Sequence, residues 1–195
     1  KTNTVVKFFL PSIVYQGSPT IVTNSAKIGE PKKHEWYLNG VKISDSVTLY
    51  TTLFKGPTDH LKLITYSCAG KDSFEADVKV TIPSVKPVPA FVASQNVITQ
   101  GQSVKFTDLS SNGPSSWSWG ISPDVSYVGN VITPRWVYTY GDNTTPSNVV
   151  RFDVPGKYKV CLTVGNAKGN APPSCVADYI TVLPLITMGS VATAV

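Results

Sequence analysis

Two of the three cysteines are placed to react with each other. Cys161 and Cys175 fall on adjacent strands of the predicted last hairpin, where Cys161 shares the outward parity of Thr163 and Cys175 that of Thr181. Residues directly opposed in an antiparallel pair have Cα atoms close to the range that a disulfide tolerates. The sequence predicts a Cys161–Cys175 disulfide, with two independent thiols as the alternative. A metal site is disfavoured because no histidine is nearby.

The remaining cysteine, Cys68, lies at the end of a predicted strand. We predict a half-buried free thiol there, with a cross-chain disulfide partner as the alternative. A chain that pairs two of its cysteines is typical of an oxidising compartment outside the cytoplasm. We therefore predict an extracellular location.

The histidines and acidic residues form no recognisable catalytic set. His34 and His60 lie in different predicted strands, and neither has a nucleophile in a recognisable turn beside it. The acids are scattered singly, so no pair of carboxylates suited to acid–base catalysis can be identified. We predict that the chain is not an enzyme, with no catalytic residues and no cofactor.

Aspartates supply the hard oxygen ligands that calcium prefers, and calcium needs six to eight of them. The aspartates of the second half lack an Asp-x-Asp spacing, and single aspartates in turns commonly cap the backbone. We predict turn caps and no bound metal. A calcium site is the alternative for Asp108, Asp124, Asp142 and Asp153.

Aromatic residues are the strongest candidates for binding. Trp136, Tyr138 and Tyr140 alternate within an irregular segment, 127–143. A row of exposed rings at this spacing would suit stacking on sugars or contact with a protein. The alternative, which we favour, is that the rings cover the open end of a sandwich. These three residues are the candidate binding residues.

The composition is that of an all-β protein. The chain has 195 residues, 42% of them hydrophobic and 15% charged, and its net charge is +5. These charges are dispersed, which argues against a nucleic-acid partner. No stretch reaches the roughly 18 apolar residues of a membrane helix, so we predict no membrane insertion. Because the chain begins with Lys1 instead of Met, we expect a mature product or a fragment of something longer.

Strict alternation in the stretch 155–166 predicts a strand with one buried face, headed by Tyr158 just after a Pro-Gly turn. Asn39-Gly40 between apolar runs predicts a tight hairpin, since both turn residues need positive φ. Trp36 lies on the strand where immunoglobulin-like domains bury a tryptophan. Trp117 and Trp119 share parity in the second half, so at least one of them is a core residue there. We predict that Trp36 and Trp119 belong to the core.

Turn signals divide the chain into two sandwiches. We predict an immunoglobulin-like sandwich at 1–83, a short Pro-rich linker at 84–89 and a second sandwich at 90–183. The segment 184–195 is small and apolar, as expected of a tail or the start of a next repeat.

The second half resembles the PKD domain, an immunoglobulin-like module. The resemblance covers 87–183 and is carried by Val104–Ser110, Ser116–Trp119, Val150–Val160, Leu162–Val164 and Tyr179–Val182. The version with a serine-tryptophan strand looks like the repeats of Bacteroidota surface proteins, which include gliding adhesins and type IX secreted products. Many PKD domains continue the tryptophan strand with an acidic Asp-Phe-Gly-Asp-Gly turn, whereas this chain has Gly120–Asp124. The first half resembles the family only through 36–40.

The resemblance implies a PKD-type tandem in a non-catalytic extracellular module, part of a larger cell-surface adhesin, that acts as a spacer or interaction domain. The alternatives are a glycan- or protein-binding module that uses Trp136–Tyr140, and an accessory domain of a secreted hydrolase. The expected partners are neighbouring repeats of the same polypeptide and a surface polysaccharide or another cell-surface protein.

Overall fold

The computed structural model describes residues 6–25, 33–68, 70–128 and 131–185, and these residues form strands and no helix. The chain divides into two compact units, Lys1–Val85 and Lys86–Val195. Each unit is described separately below. The prediction of an all-β protein is confirmed.

The first unit has eight strands, and alternating apolar residues define most of them. They are β1 (Phe8–Phe9), β2 (Val14–Tyr15), β3 (Thr20–Asn24), β4 (Lys33–Leu38), β5 (Val41–Ser44), β6 (Leu49–Thr51), β7 (Thr58–Ser67) and β8 (Gly70–Thr81). One sheet has the order β1-β3-β6, and the other has the order β2-β8-β7-β4-β5. All neighbours are antiparallel except β2 and β8, which are parallel.

The core of the first unit lies between these two sheets, around Trp36. This side chain is 0% exposed. The centroid of its ring lies 5.6 Å from that of the Phe8 ring. Its Nε1 donates a hydrogen bond of 2.8 Å to the carbonyl oxygen of Ser46. The predicted tight turn is also present, because Asn39 and Gly40 both have positive φ, 49° and 82°.

The second unit has eleven strands. They are β9 (Phe91–Ala93), β10 (Val97–Thr99), β11 (Ser103–Asp108), β12 (Ser116–Ser122), β13 (Val125–Val128), β14 (Val131–Pro134), β15 (Trp136–Tyr140), β16 (Ser147–Phe152), β17 (Gly156–Asn166), β18 (Gly169–Asn170) and β19 (Ser174–Leu183). The two main sheets have the orders β15-β16-β11-β9 and β10-β19-β17-β12. Strands β13 and β14 form a separate hairpin, and β18 extends the edge of β17.

These strand orders are those of immunoglobulin-like sandwiches. In the second unit, β9, β11, β16 and β15 take the A, B, E and D positions, and β12, β17 and β19 take the C, F and G positions. In the first unit, β1, β3 and β6 correspond to A, B and E, and β4, β7 and β8 to C, F and G. Both units are therefore immunoglobulin-like β-sandwiches.

The alternation along β17 is confirmed residue by residue. Tyr158, Val160, Leu162 and Val164 are all buried, as one face of a half-buried strand requires. The hydroxyl of Tyr158 donates a hydrogen bond of 2.6 Å to the carbonyl oxygen of Val154, four residues upstream. This is the tyrosine corner of immunoglobulin-like domains, and it fixes the entry of the chain into the core strand.

The second unit takes in part of the segment that the sequence assigned to the linker. Val88 and Ser111 exchange two backbone hydrogen bonds of 3.3 and 3.1 Å. The side-chain Nδ2 of Asn112 donates to the carbonyl oxygen of Lys86. Lys86 and Val88, within the predicted linker, are therefore hydrogen-bonded to the second sandwich.

Candidate functional site

The disulfide predicted from the sequence is present between Cys161 on β17 and Cys175 on β19. The two cysteines face each other in the ladder, with Cα atoms 4.0 Å apart. Ile180 and Val176 are four residues apart on β19, whereas their partners Tyr158 and Val160 are two residues apart on β17. Strand β19 therefore has a bulge of two extra residues. An even number of extra residues leaves parity unchanged, which is why alternation placed Cys175 on the outer face correctly.

Cys68 is a free cysteine and is exposed, whereas the sequence predicted a half-buried thiol. It follows the last residue of β7, Ser67, at the turn of the β7–β8 hairpin. A turn at the end of two long strands extends beyond the packed region, so its side chains remain in solvent.

The three candidate binding residues do not form a row of exposed rings. Trp136 and Tyr138 are partly buried against the core of the second unit and pack edge to face, with ring centroids 5.3 Å apart. Only Tyr140 is well exposed, at 68%. A register shift in the β15–β16 ladder between Tyr138 and Tyr140 breaks the alternation and separates the third ring from the first two.

The polar ends of the two packed rings are buried. Trp136 Nε1 and Tyr138 Oη have no hydrogen-bond partner among the described residues. Burial raises the pKa of Tyr138 to about 12, and the negative charge of Asp142 adds to the effect. Both rings therefore pack against the core at β15, the edge strand of its sheet.

Arg135 attaches the inserted hairpin β13–β14 to the sandwich. Its guanidinium donates to the hydroxyl of Ser126 and to the carbonyl oxygen of Pro155, both at 2.9 Å. It also lies 5.4 Å from the ring centroid of Tyr158, in a cation–π arrangement. The insertion is thus tied to the tyrosine corner, a link that the sequence did not indicate.

The aspartates proposed as calcium ligands have local partners. Asp108 accepts hydrogen bonds from Trp117 Nε1 and the backbone of Ser110, and Asp142 accepts from the backbone and hydroxyl of Thr144. Asp153 forms an ion pair with Arg151, two residues earlier at the end of β16, and the backbone oxygen of Asp124, rather than its carboxylate, accepts from the backbone N–H of Arg135. Among the described residues, no three His, Cys, Asp or Glu side chains are grouped to hold a metal. The contacts of Asp108 and Asp142 support the turn-capping interpretation for these two residues.

The two histidines have opposite environments. His34 is buried, and burial lowers its pKa; its Nε2 has no hydrogen-bond partner in the described part of the chain. His60 is exposed, and its hydrogen bond with Asp77, 2.9 Å long, raises its pKa. His34 on β4 is opposite Thr65 of β7, five residues along that strand from His60, so the two histidines share no site.

A carboxylate on the first unit has a dense set of donors that sequence analysis missed. Glu35 is buried on β4, and its Oε1 lies 2.7 Å from Lys33 Nζ and 3.2 Å from Lys42 Nζ. Its Oε2 accepts from the hydroxyls of Tyr66 at 2.8 Å and Tyr37 at 3.2 Å. The spacing of residues 33, 35 and 37 on one strand face was visible in the sequence. The contribution of Tyr66, 31 residues away, depends on strand register.

The pH dependence of stability should report this Glu35 cluster (Lys33, Glu35, Tyr37, Lys42 and Tyr66). Hydrogen bonds from Lys33, then Tyr66 and Lys42, lower the pKa of Glu35 to about 2, from 4.5 in an unfolded chain. A carboxyl group with a depressed pKa stabilises the fold above pH 4.5, and this contribution is lost as the pH falls towards 2. We expect Glu35→Gln to remove up to about one proton from the pH slope of unfolding in that window.

The measurement is urea denaturation of wild type and variant at several pH values from 2 to 6. Glu75→Gln is the matched control, because Glu75 is exposed and its pKa is lowered chiefly by Lys62. Exposed ion pairs contribute little to stability, so this control should change the slope less. Equal slopes for the wild type and Glu35→Gln would show that the cluster does not hold the carboxylate ionised.

The described residues contain no helix with the length and apolar character that a membrane span requires.

No protein-family model matches the chain, and no curated protein matches it. The chain is similar in structure to fibronectin(III)-like modules of Clostridium thermocellum CbhA, with 17% identity, a TM-score of 0.34, and 91% of this chain and 95% of that chain covered.

Two further solved structures are similar at the same level. One is SGBP-B of the Bacteroides ovatus mixed-linkage glucan utilization locus, in complex with a mixed-linkage heptasaccharide, with 14% identity, a TM-score of 0.36, and coverage of 94% of this chain and 48% of that chain. The other is the mouse nectin-like molecule 4 ectodomain, with 11% identity, a TM-score of 0.35, and coverage of 95% and 66%. The fold of this chain rests on its strand orders, which place both units in the immunoglobulin-like class.

Proposed function

We propose that this chain is a non-catalytic extracellular spacer, a pair of PKD-type sandwiches within a longer cell-surface polypeptide. The observation that carries the proposal is that, in each unit, a short strand near the start pairs in parallel with the last strand. In the second unit, β10 pairs parallel to β19, with Val97 opposite Thr181 and Thr99 opposite Leu183. In the first unit, β2 pairs parallel to β8, with Val14 opposite Val80.

This parallel pairing resists a force that pulls on the two ends of a unit. Such a force slides the paired strands along each other, so their ladder hydrogen bonds are loaded together instead of one after another. Bonds at both ends of the β10–β19 pair support this ladder. Gln100 N donates to Leu183 O at 2.9 Å, and Thr181 N donates to Asn96 O at 2.8 Å.

The disulfide adds a covalent limit to extension. It closes the segment between Cys161 and Cys175, which are 14 residues apart. At about 3.4 Å per extended residue, this segment withholds roughly 45 Å of chain from any stretched state. A disulfide in the last hairpin also fits an oxidising environment outside the cytoplasm.

The test is single-molecule force spectroscopy on the full chain, pulled from its two ends. We expect two unfolding events and refolding after relaxation, with the extension of one event roughly 45 Å longer after reduction. Gln100→Pro, which removes the N–H donor to Leu183, should lower the unfolding force of the second unit. Gln100→Ala is the matched control, because it keeps that N–H.

Equal unfolding forces for the Gln100→Pro and Gln100→Ala chains would show that the parallel pair does not resist the applied force.

The second candidate function is recognition through Trp136–Tyr140. It rests on Tyr140, the one well-exposed ring of the three.

A further inference from the structure

The outer face of the sheet β1-β3-β6 differs in chemistry from the other three outer sheet faces. Each of those three carries an ion pair, namely Lys42–Glu35, Arg151–Asp153 and Lys157–Asp178. Within the described ranges, no ion pair involves a residue of β1, β3 or β6. A sheet face without charge pairs lacks the usual solvated surface of an immunoglobulin-like module.

Three large apolar side chains occupy this face instead. Phe9, Ile21 and Tyr50 are 61%, 56% and 58% exposed. Their strand neighbours Phe8 and Leu49 are buried in the core, so the alternation identifies the exposed set as the outward face of the sheet. Contiguous exposed apolar surface of this kind marks binding sites more often than isolated apolar residues do.

The register places one aromatic ring on each side of the central strand. Tyr50 on β6 is directly opposite Ile21 on β3, and Phe9 on β1 is directly opposite Thr23 on β3. Neighbouring strands are about 4.8 Å apart, so the two ring-bearing strands are about 10 Å apart. Thr23 is exposed between them, so its hydroxyl can reach a ligand that lies across the rings. The result is a shallow platform with two rings and a hydroxyl.

A sugar ring fits this chemistry. Its C–H face packs against an aromatic ring, and its hydroxyls bond to side-chain hydroxyls at the edge. None of the residues of β1, β3 and β6 is charged, so these strands offer no positive charge to attract an acidic ligand. We propose that the outer face of β1-β3-β6 binds a neutral oligosaccharide segment of a polysaccharide. This proposal is independent of the spacer role.

The size of the platform selects a narrow ligand over a second copy of the chain. With side chains of roughly 200 Å² each, the exposed fractions of Phe9, Ile21 and Tyr50 amount to about 350 Å². A stable protein interface buries about 800 Å² on each partner. The platform offers less than half of that, which suits a single sugar chain lying across the strands.

The experiment is affinity electrophoresis of the full chain in gels that contain cellulose derivatives, mixed-linkage glucan, xylan or mannan, with polygalacturonate as the acidic comparison. We expect retardation by at least one neutral polysaccharide and none by polygalacturonate. Phe9→Ala and Tyr50→Ala should each weaken binding roughly tenfold or more. Tyr127→Ala, which removes an exposed ring from the second unit outside the candidate binding residues, should leave binding unchanged.

Three results would overturn the proposal: no retardation by any neutral polysaccharide, a stronger effect of polygalacturonate, or full binding by the Phe9→Ala and Tyr50→Ala chains. Circular dichroism of each variant checks that the first unit remains folded. Sedimentation equilibrium provides a separate readout, since self-association that Tyr50→Ala abolishes would assign the face to a second copy instead. None of these results bears on the force measurement that tests the spacer role.

Discussion

Replacing Trp36 by alanine should lower the free energy of unfolding of the first unit by about 4 kcal/mol. The side chain is 0% exposed and packs against Phe8 in the centre of the core, so its removal leaves a cavity that the surrounding sheets cannot close. Domains of this size are stable by only about 5–15 kcal/mol. The variant should therefore unfold at a much lower urea concentration. The measurement is urea denaturation monitored by peptide-resolved hydrogen exchange, which reports each unit separately.

Trp36→Phe is the control for packing. It keeps an aromatic ring in the core but loses the hydrogen bond from Nε1 to Ser46 O, so we expect a smaller loss of about 1–2 kcal/mol. Exchange in peptides of the second unit should not change in either variant, because that unit has its own core around Trp119. An alanine variant as stable as the wild type would mean that Trp36 does not organise the first core.

Local patterns were sufficient to predict the core strand of the second unit and the tight turn of the first. Tyr158 could be placed because a turn and strict alternation lie within a few residues of it, and Asn39-Gly40 because a two-residue hairpin needs positive φ at both positions. Each of these signals is contained in one short segment. The physical cause is local, so no knowledge of distant residues was needed.

Features that depend on register or on a bulge could not be predicted. Tyr138 and Tyr140 share parity in the sequence, yet the shift between them separates the exposed ring from the packed one. Tyr66 reaches Glu35 only because β7 pairs with β4 in one particular register. Alternation cannot locate a bulge, and a single strand carries no information about the register of its partner.

The platform on β1-β3-β6 combines both kinds of information. Alternation in β3 indicates that Ile21 points away from the neighbouring core residue Val22. The sequence does not indicate that Phe9 and Tyr50 lie on either side of that strand, since they are 41 positions apart. A set of outward residues becomes a candidate site only when the pairing of three strands is known.

Removal of the disulfide with the Cys161→Ala, Cys175→Ala double variant should lower the free energy of unfolding of the second unit by about 3 kcal/mol. The two cysteines are 14 residues apart, and a closed loop of that length restricts the unfolded chain by about this amount. The measurement is urea denaturation of the double variant and of the wild type with and without reductant. The reductant should destabilise the wild type by a similar amount and leave the double variant unchanged.

Cys68→Ser is the matched control, because Cys68 is an exposed free thiol in the first unit. Its stability and its response to reductant should both equal those of the wild type. The bulged hairpin keeps its backbone ladder without the covalent bond, so the double variant should still fold and should lose stability mainly through greater freedom of its unfolded state. If the double variant is as stable as the wild type, the hairpin is held by its ladder and core packing alone, and the disulfide serves only to limit extension under force.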